Sequence, residues 1–233
     1  MVDLVTRHTT CHLYRLTPGE VHEVCRRTQH PLGDIKKAEI AKVREVRDWE
    51  PTFAFTHLFH YYLEQRNELP TWERFSDFLL RSNEGRELFG DEIHQKRIEF
   101  SESACRAGRN DITEQLVGEA LRWRVGLAYY SFLREVYSVV ALRSLGVDVR
   151  VHPLADAMCR VDAWVDDTII SLWVSNAEFR TQAAGRKIKV GELLGDTFRY
   201  LDIELDKATT YGRVHLPSRQ RLEEAARRIK AHA

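Results

Sequence analysis

The chain has 233 residues, and 35 Lys and Arg against 35 Asp and Glu leave it with no formal charge at pH 7. That balance excludes a polybasic arm or an acidic tail, while 43% hydrophobic and 30% charged residues suit a charged surface over a sizeable core. No apolar run approaches the ~20 residues of a membrane helix, and no hydrophobic signal core opens the sequence. Its four cysteines include no CxxC pair. These features predict a cytoplasmic protein without membrane contact, disulfide framework or zinc ribbon.

Residues 1–110 read as a helical region. Thr17-Pro18-Gly19-Glu20 is a capping box with proline at the first helical position, opening a helix to about Gln29. Asp34 is expected to cap a helix through Trp49, with Ile35, Ala38, Val43 and Val46 near one stripe. Pro51 opens an aromatic-rich helix, and its His57 and His60 read as packing or surface histidines rather than a metal site. Thr71 caps WERFSDFLLRS, which buries Trp72, Phe75, Phe78 and Leu79. Gly85 and Gly90 predict a short turn or broken helix over residues 83–91, followed by a helix from Glu92 to Arg106.

Residues 111–233 read as an α/β domain. A long helical pattern begins after a cap at Asp111 and closes at Gly146. The period then drops to two. VDVRVHP, MCRVDAWVDD and TIISLWVSN are expected strands, the last two joined in a hairpin across Asp166-Asp167. If the second strand is continuous, Asp156 faces the same side as Asp162. A basic loop with Arg180, Arg186, Lys187 and Lys189 leads to a short helix at VGELLGDTF. The strand YLDIELD, an edge piece at GRVHLP and a terminal helix capped by Ser218 complete the chain. All strands are expected in one mixed sheet.

The order helix, three strands, helix, strand resembles the α-β-β-β-α-β core of the restriction-endonuclease-like, PD-(D/E)XK nuclease superfamily, over about residues 115–216. The fold class expected is therefore α+β or α/β. That resemblance implies an Asp on the second core strand and Glu-x-Lys on the third, holding Mg²⁺ and orienting a water for phosphodiester cleavage. Asp162 matches the Asp, and Glu135 on the long helix fits an additional acid, so these two are the implied metal ligands. The Glu-x-Lys slot falls on Ser171-Leu172-Trp173. Serine is a poor metal ligand and indole carries no charge, so the motif is missing where it belongs.

The function implied is a nucleic-acid-associated protein with a divergent, catalytically impaired nuclease-like fold, in a mobile-element, phage or defence setting. DNA is its implied partner, held by Arg180, Arg186, Lys187 and Lys189 with Asn176 at the end of the third strand. Two alternatives stand beside it. One is an active Mg²⁺-dependent endonuclease in which Lys187 has migrated into the missing lysine's place. The other is a non-enzymatic scaffold whose aromatic N-terminal helices bind a protein partner. No phosphate loop, GxGxxG, HExxH or GxSxG motif competes.

Overall fold

The computed structural model, which describes residues 10–51, 55–159, 161–174, 190–205, 210–211 and 214–231, is organised around one 31-residue helix. Preceding it are a 3₁₀ turn (Leu13–Arg15) and helices α1 (Pro18–Arg27), α2 (Lys37–Ile40), α3 (Arg44–Asp48), α4 (Thr56–Arg66) and α5 (Trp72–Arg81). Then come α6 (Asn83–Gly85), a π-helical turn (Arg86–Gly90), α7 (Asp91–Arg106) and the long helix α8 (Glu114–Ser144). Every described element before residue 110 is helical, as the 3.6-residue period implies.

Local signals hold where the partners are close in sequence. Thr17 Oγ1 accepts the Glu20 N–H at 3.3 Å, and the Glu20 carboxylate accepts the Thr17 N–H at 2.7 Å. Thr71 caps α5, and Trp72, Phe75, Phe78 and Leu79 are buried. Thr113, rather than Asp111, caps α8, its hydroxyl accepting the Leu116 N–H. The helix expected from Ile35 to Trp49 is instead two short ones. The break at Ala41–Val43 lets α2 and α3 both lie against α8, and it seats Trp49 flat on Phe89 with ring centroids 5.9 Å apart. Gly85 and Gly90 do not break their helix either. A Cβ on Gly85 would lie 2.1 Å from the Phe78 carbonyl oxygen, and one on Gly90 2.1 Å from that of Leu79. These glycines let the helical run touch the backbone of α5, and the π turn absorbs the mismatch.

Beyond α8 the chain forms α9 (Pro153–Cys159), β1 (Ala163–Val165), β2 (Thr168–Val174), α10 (Val190–Leu194), a 3₁₀ turn (Gly195–Thr197), β3 (Arg199–Leu205), β4 (Thr210–Tyr211), β5 (Val214–His215) and α11 (Arg219–Lys230). The class is α+β, with a small mixed sheet of order β1-β2-β3. β1 and β2 are antiparallel across the Asp166-Asp167 turn, where Asp166 takes φ +47°. β3 returns parallel to β2, pairing Ile170 with Leu201 and Leu172 with Ile203. Two expectations need correction. VDVRVHP buries Val147, Val149 and Val151 with strand periodicity, yet among the described residues it meets the sheet only at one antiparallel bridge, Arg150 to Trp164. The next expected strand begins as helix α9, because Pro153 suits a first helical turn and His152 Nδ1 accepts the Leu154 N–H. The strands also do not form one sheet, since β4 and β5 make a separate two-stranded ladder.

The expected boundary at residue 110 falls in the turn between α7 and α8, and one hydrophobic cluster runs across it from Leu13 to Ile229.

Candidate functional site

Two places carry the acids singled out from the sequence, the β1 edge and the buried flank of α8. Asp162 sits one residue before β1 rather than mid-strand. Extending the Ala163–Ile170 register by one step places Ser171 opposite Asp162, and β2–β3 pairing places Asp202 beside Ser171. The three lie in a row across the sheet. Adjacent strands are about 4.8 Å apart, so Asp162 and Asp202 stand about 10 Å apart at the backbone. Asp162 Oδ2 accepts the Leu172 N–H at 2.6 Å. The carboxylate therefore binds β2, the strand on which the Glu-x-Lys slot was expected. Arg150, which bridges to Trp164 beside it, pairs with Asp148.

Glu135 is buried against α4. Its Oε1 lies 3.2 Å from His60 Nε2, with the two side chains 13% and 1% exposed. Burial drives both groups toward neutrality. The Glu135 carboxyl is pushed well above the usual carboxylate range, first by loss of water and then by the charge of Asp156. The His60 imidazole is pushed down to about 4 by burial, against the opposing pull of Asp156 and Glu64. Both shifts favour the uncharged forms of the pair across this 3.2 Å contact. Beside it, His57 Nε2–H donates to the Pro153 carbonyl at 2.8 Å, tying α4 to the start of α9.

Sequence reasoning singled out Glu135 but missed its setting. His60 is 75 residues away, and Asp156 was expected to share a face with Asp162 only if one strand ran through both. A signal was present in the i, i+3 spacing of His57 and His60, two polar residues within the otherwise aromatic or apolar run from His57 to Leu63. Cys105 is exposed and Cys159 partly exposed.

These residues do not fit a Mg²⁺ site. Mg²⁺ needs ionised oxygen ligands converging at about 2.1 Å. Burial pushes the Glu135 carboxyl toward its neutral form against an imidazole, and Asp162 Oδ2 accepts a backbone N–H. Among the described residues no group of three or more His, Cys, Asp or Glu side chains is arranged to hold a metal ion. Asn176, Arg180, Arg186, Lys187 and Lys189 lie outside the described residues, as does the side chain of Trp173.

A separate cavity of about 550 Å³ lies between α5, α7 and α8. Trp72, Leu79, Leu80 and Ile93 line it with Glu73, Arg97 and Glu119, and it includes neither Glu135 nor Asp162. The aromatic anchors expected for a protein partner point inward. Trp72 is 6% exposed, Phe75 0% and Phe78 7%, so they are core. Among the described residues no helix is long and apolar enough to cross a membrane. No family model, curated protein or solved structure matches this chain.

Proposed function

We propose that this protein associates with nucleic acid through a divergent nuclease-like fold that has lost hydrolysis, in a mobile-element, phage or defence setting. The observation that carries the reading is the β1–β2 register. It puts Ser171 opposite Asp162, while the Asp162 carboxylate accepts the Leu172 N–H. The order of long helix, antiparallel hairpin, crossover helix and parallel strand supports the same reading, as does the Arg150 bridge at the hairpin's outer edge.

Phosphodiester cleavage requires charge stabilisation at the phosphate, and removing one preorganised group costs about 10²–10³ in rate. Here the positions of both the acid and the lysine are changed. The full chain is expected to bind oligonucleotides with clear salt dependence and to leave plasmid and single-stranded DNA intact with Mg²⁺ or Mn²⁺. Arg186→Ala with Lys187→Ala is expected to reduce the log–log salt slope by roughly one per lost phosphate contact. Metal-dependent cleavage abolished by both Asp162→Ala and Lys187→Ala would replace this reading with the active endonuclease. A wild-type protein that binds no DNA or RNA at low salt would remove its nucleic-acid half.

A further inference from the structure

Six arginines among the described residues are partly buried, and five of them have a clear acceptor. Arg97 pairs with Glu114, Arg109 with Glu45 and Arg143 with Asp148. Arg122 donates to the Pro31 and His30 carbonyls, and Arg124 to that of Val46. Arg134 is the exception. Its Nε is sealed from solvent with no hydrogen-bond partner, although the residue as a whole keeps some exposure. No carboxylate pairs with it among the described residues, and the one neighbour that acts on it electrostatically is Tyr130. An uncompensated guanidinium in a half-buried position is costly, and a ligand that brings the countercharge removes that cost.

On α8 Arg134 lies between Tyr130 and Tyr137, the two residues that meet α1 and its continuation. The ring of His22 on α1 lies 4.9 Å from that of Tyr137 on α8, while His30 Nδ1 lies 2.6 Å from the Tyr130 hydroxyl. As α1 and its continuation advance, their contacts on α8 move backward, so the two elements run antiparallel. Arg26 follows His22 by about one turn, and Arg134 precedes Tyr137 by about one turn, so both sit on the same stretch of the α1–α8 seam. Burial, and after it the charge of Arg26, lowers the basicity of His22. At this rim the counter-acid is Glu23, which holds Arg26 on the exposed side at 3.0 Å.

We infer that Arg134 is the floor, and Arg26 the rim, of an oxyanion seat between α1 and α8 that takes a phosphate group. The guanidinium fork matches a phosphate's oxygens in a way that a lysine would not. The inference rests on the nucleic-acid reading for the source of that phosphate, a backbone phosphodiester. Inorganic phosphate shares the chemistry and serves as the second probe.

The test uses the full chain, as wild type, Arg134→Met, Arg134→Lys and a control, Arg219→Met, which alters an exposed residue paired with Glu223. Thermal midpoints are taken in chloride and in inorganic phosphate at equal ionic strength, and oligonucleotide affinity is read by fluorescence anisotropy. Phosphate is expected to raise the midpoint of wild type and control, and not that of Arg134→Met. In chloride Arg134→Met should melt no lower than wild type, because it removes an unpaired charge and keeps the apolar stem. Oligonucleotide affinity should fall tenfold or more in Arg134→Met, with only partial rescue by lysine. A lower chloride midpoint in Arg134→Met, or a phosphate response that survives it, would overturn the seat. If wild type binds oligonucleotides and Arg134→Met binds them equally well, the seat fails and the nucleic-acid reading stands. If phosphate stabilises through Arg134 but no oligonucleotide binds, the seat holds for free phosphate and the nucleic-acid reading fails.

Discussion

The Glu135–His60 pair ties side-chain chemistry to stability in opposite directions with pH. An unfolded chain protonates His60 near 6.5, the folded chain only near 4. The histidine's contribution is therefore complete above 6.5 and lost as pH falls toward 4. Glu135 behaves in reverse. Its folded-state pKa lies above the ordinary 4.5, so its contribution is complete below 4.5 and lost as pH rises through the folded value. Glu135→Gln keeps a hydrogen-bond donor for His60 and has no proton to lose. At pH 8 it should be more stable than wild type, by about 1.4 kcal/mol for each pH unit separating the folded and unfolded values. Glu135→Ala removes the 3.2 Å contact to the buried His60 imidazole and should lose about 1–3 kcal/mol. Urea midpoints at pH 8 and pH 4.5 check both. A Gln variant weaker than wild type at pH 8 would mean that the carboxylate is ionised in the fold.

At the scale of elements, Gly85 and Gly90 make the sharpest forecast. Gly85→Ala places a methyl group 2.1 Å from the Phe78 oxygen and 2.9 Å from the Leu79 Cα, so the backbones of α5 and the following helix must separate. About 3 kcal/mol or more should be lost, well beyond ordinary helix propensity, under which Ala would gain about 1. Gly108→Ala is the contrast. Its added Cβ meets nothing within 4 Å, so the cost is that of a positive φ alone, about 1 kcal/mol. Equal losses at the two sites, by chemical denaturation, would refute the close-approach account. Gly85 also shows why some elements were legible and others not. The Thr17, Thr71 and Ser218 caps act within four residues, and the Asp166-Asp167 hairpin within two. A glycine that breaks a helix and one that admits a neighbouring backbone look identical in sequence, and only tertiary packing distinguishes them. The Ile35–Trp49 segment failed for the same reason, its break being set by contact with α8 and the Phe89 ring. The candidate site was half legible. Glu135 and Asp162 stood out by their positions along the chain, but His60, Asp156 and the Leu172 N–H are brought to them by the fold.

For the molecule as a whole, α8 decides whether the helical and sheet-bearing halves can exist apart. Val136 to Leu142 is buried without interruption, which requires neighbours on every side of the helix. Phe132 stacks on Phe59 at 5.3 Å and Tyr129 meets Trp72 at 5.6 Å, both partners coming from the first 110 residues. β5 and α11 lie against α8 as well. In a fragment 111–233, Leu121, Val125, Tyr129, Phe132, Leu133 and Val136 would lose their cover on the N-terminal side. At about 1.5–3 kcal/mol for each large side chain returned to water, six such residues cost about 9–18 kcal/mol. A whole domain is stable by only about 5–15 kcal/mol. The fragment is therefore expected to be unfolded or aggregated. In the full chain, far-UV circular dichroism and tryptophan fluorescence should report one coincident urea transition, with Trp49 and Trp72 sensing the helical half and Trp164 the sheet. A monomeric 111–233 fragment with cooperative unfolding of its own, or two separated transitions in the full chain, would show that α8 carries its own core and that the helical region is an appendage to it.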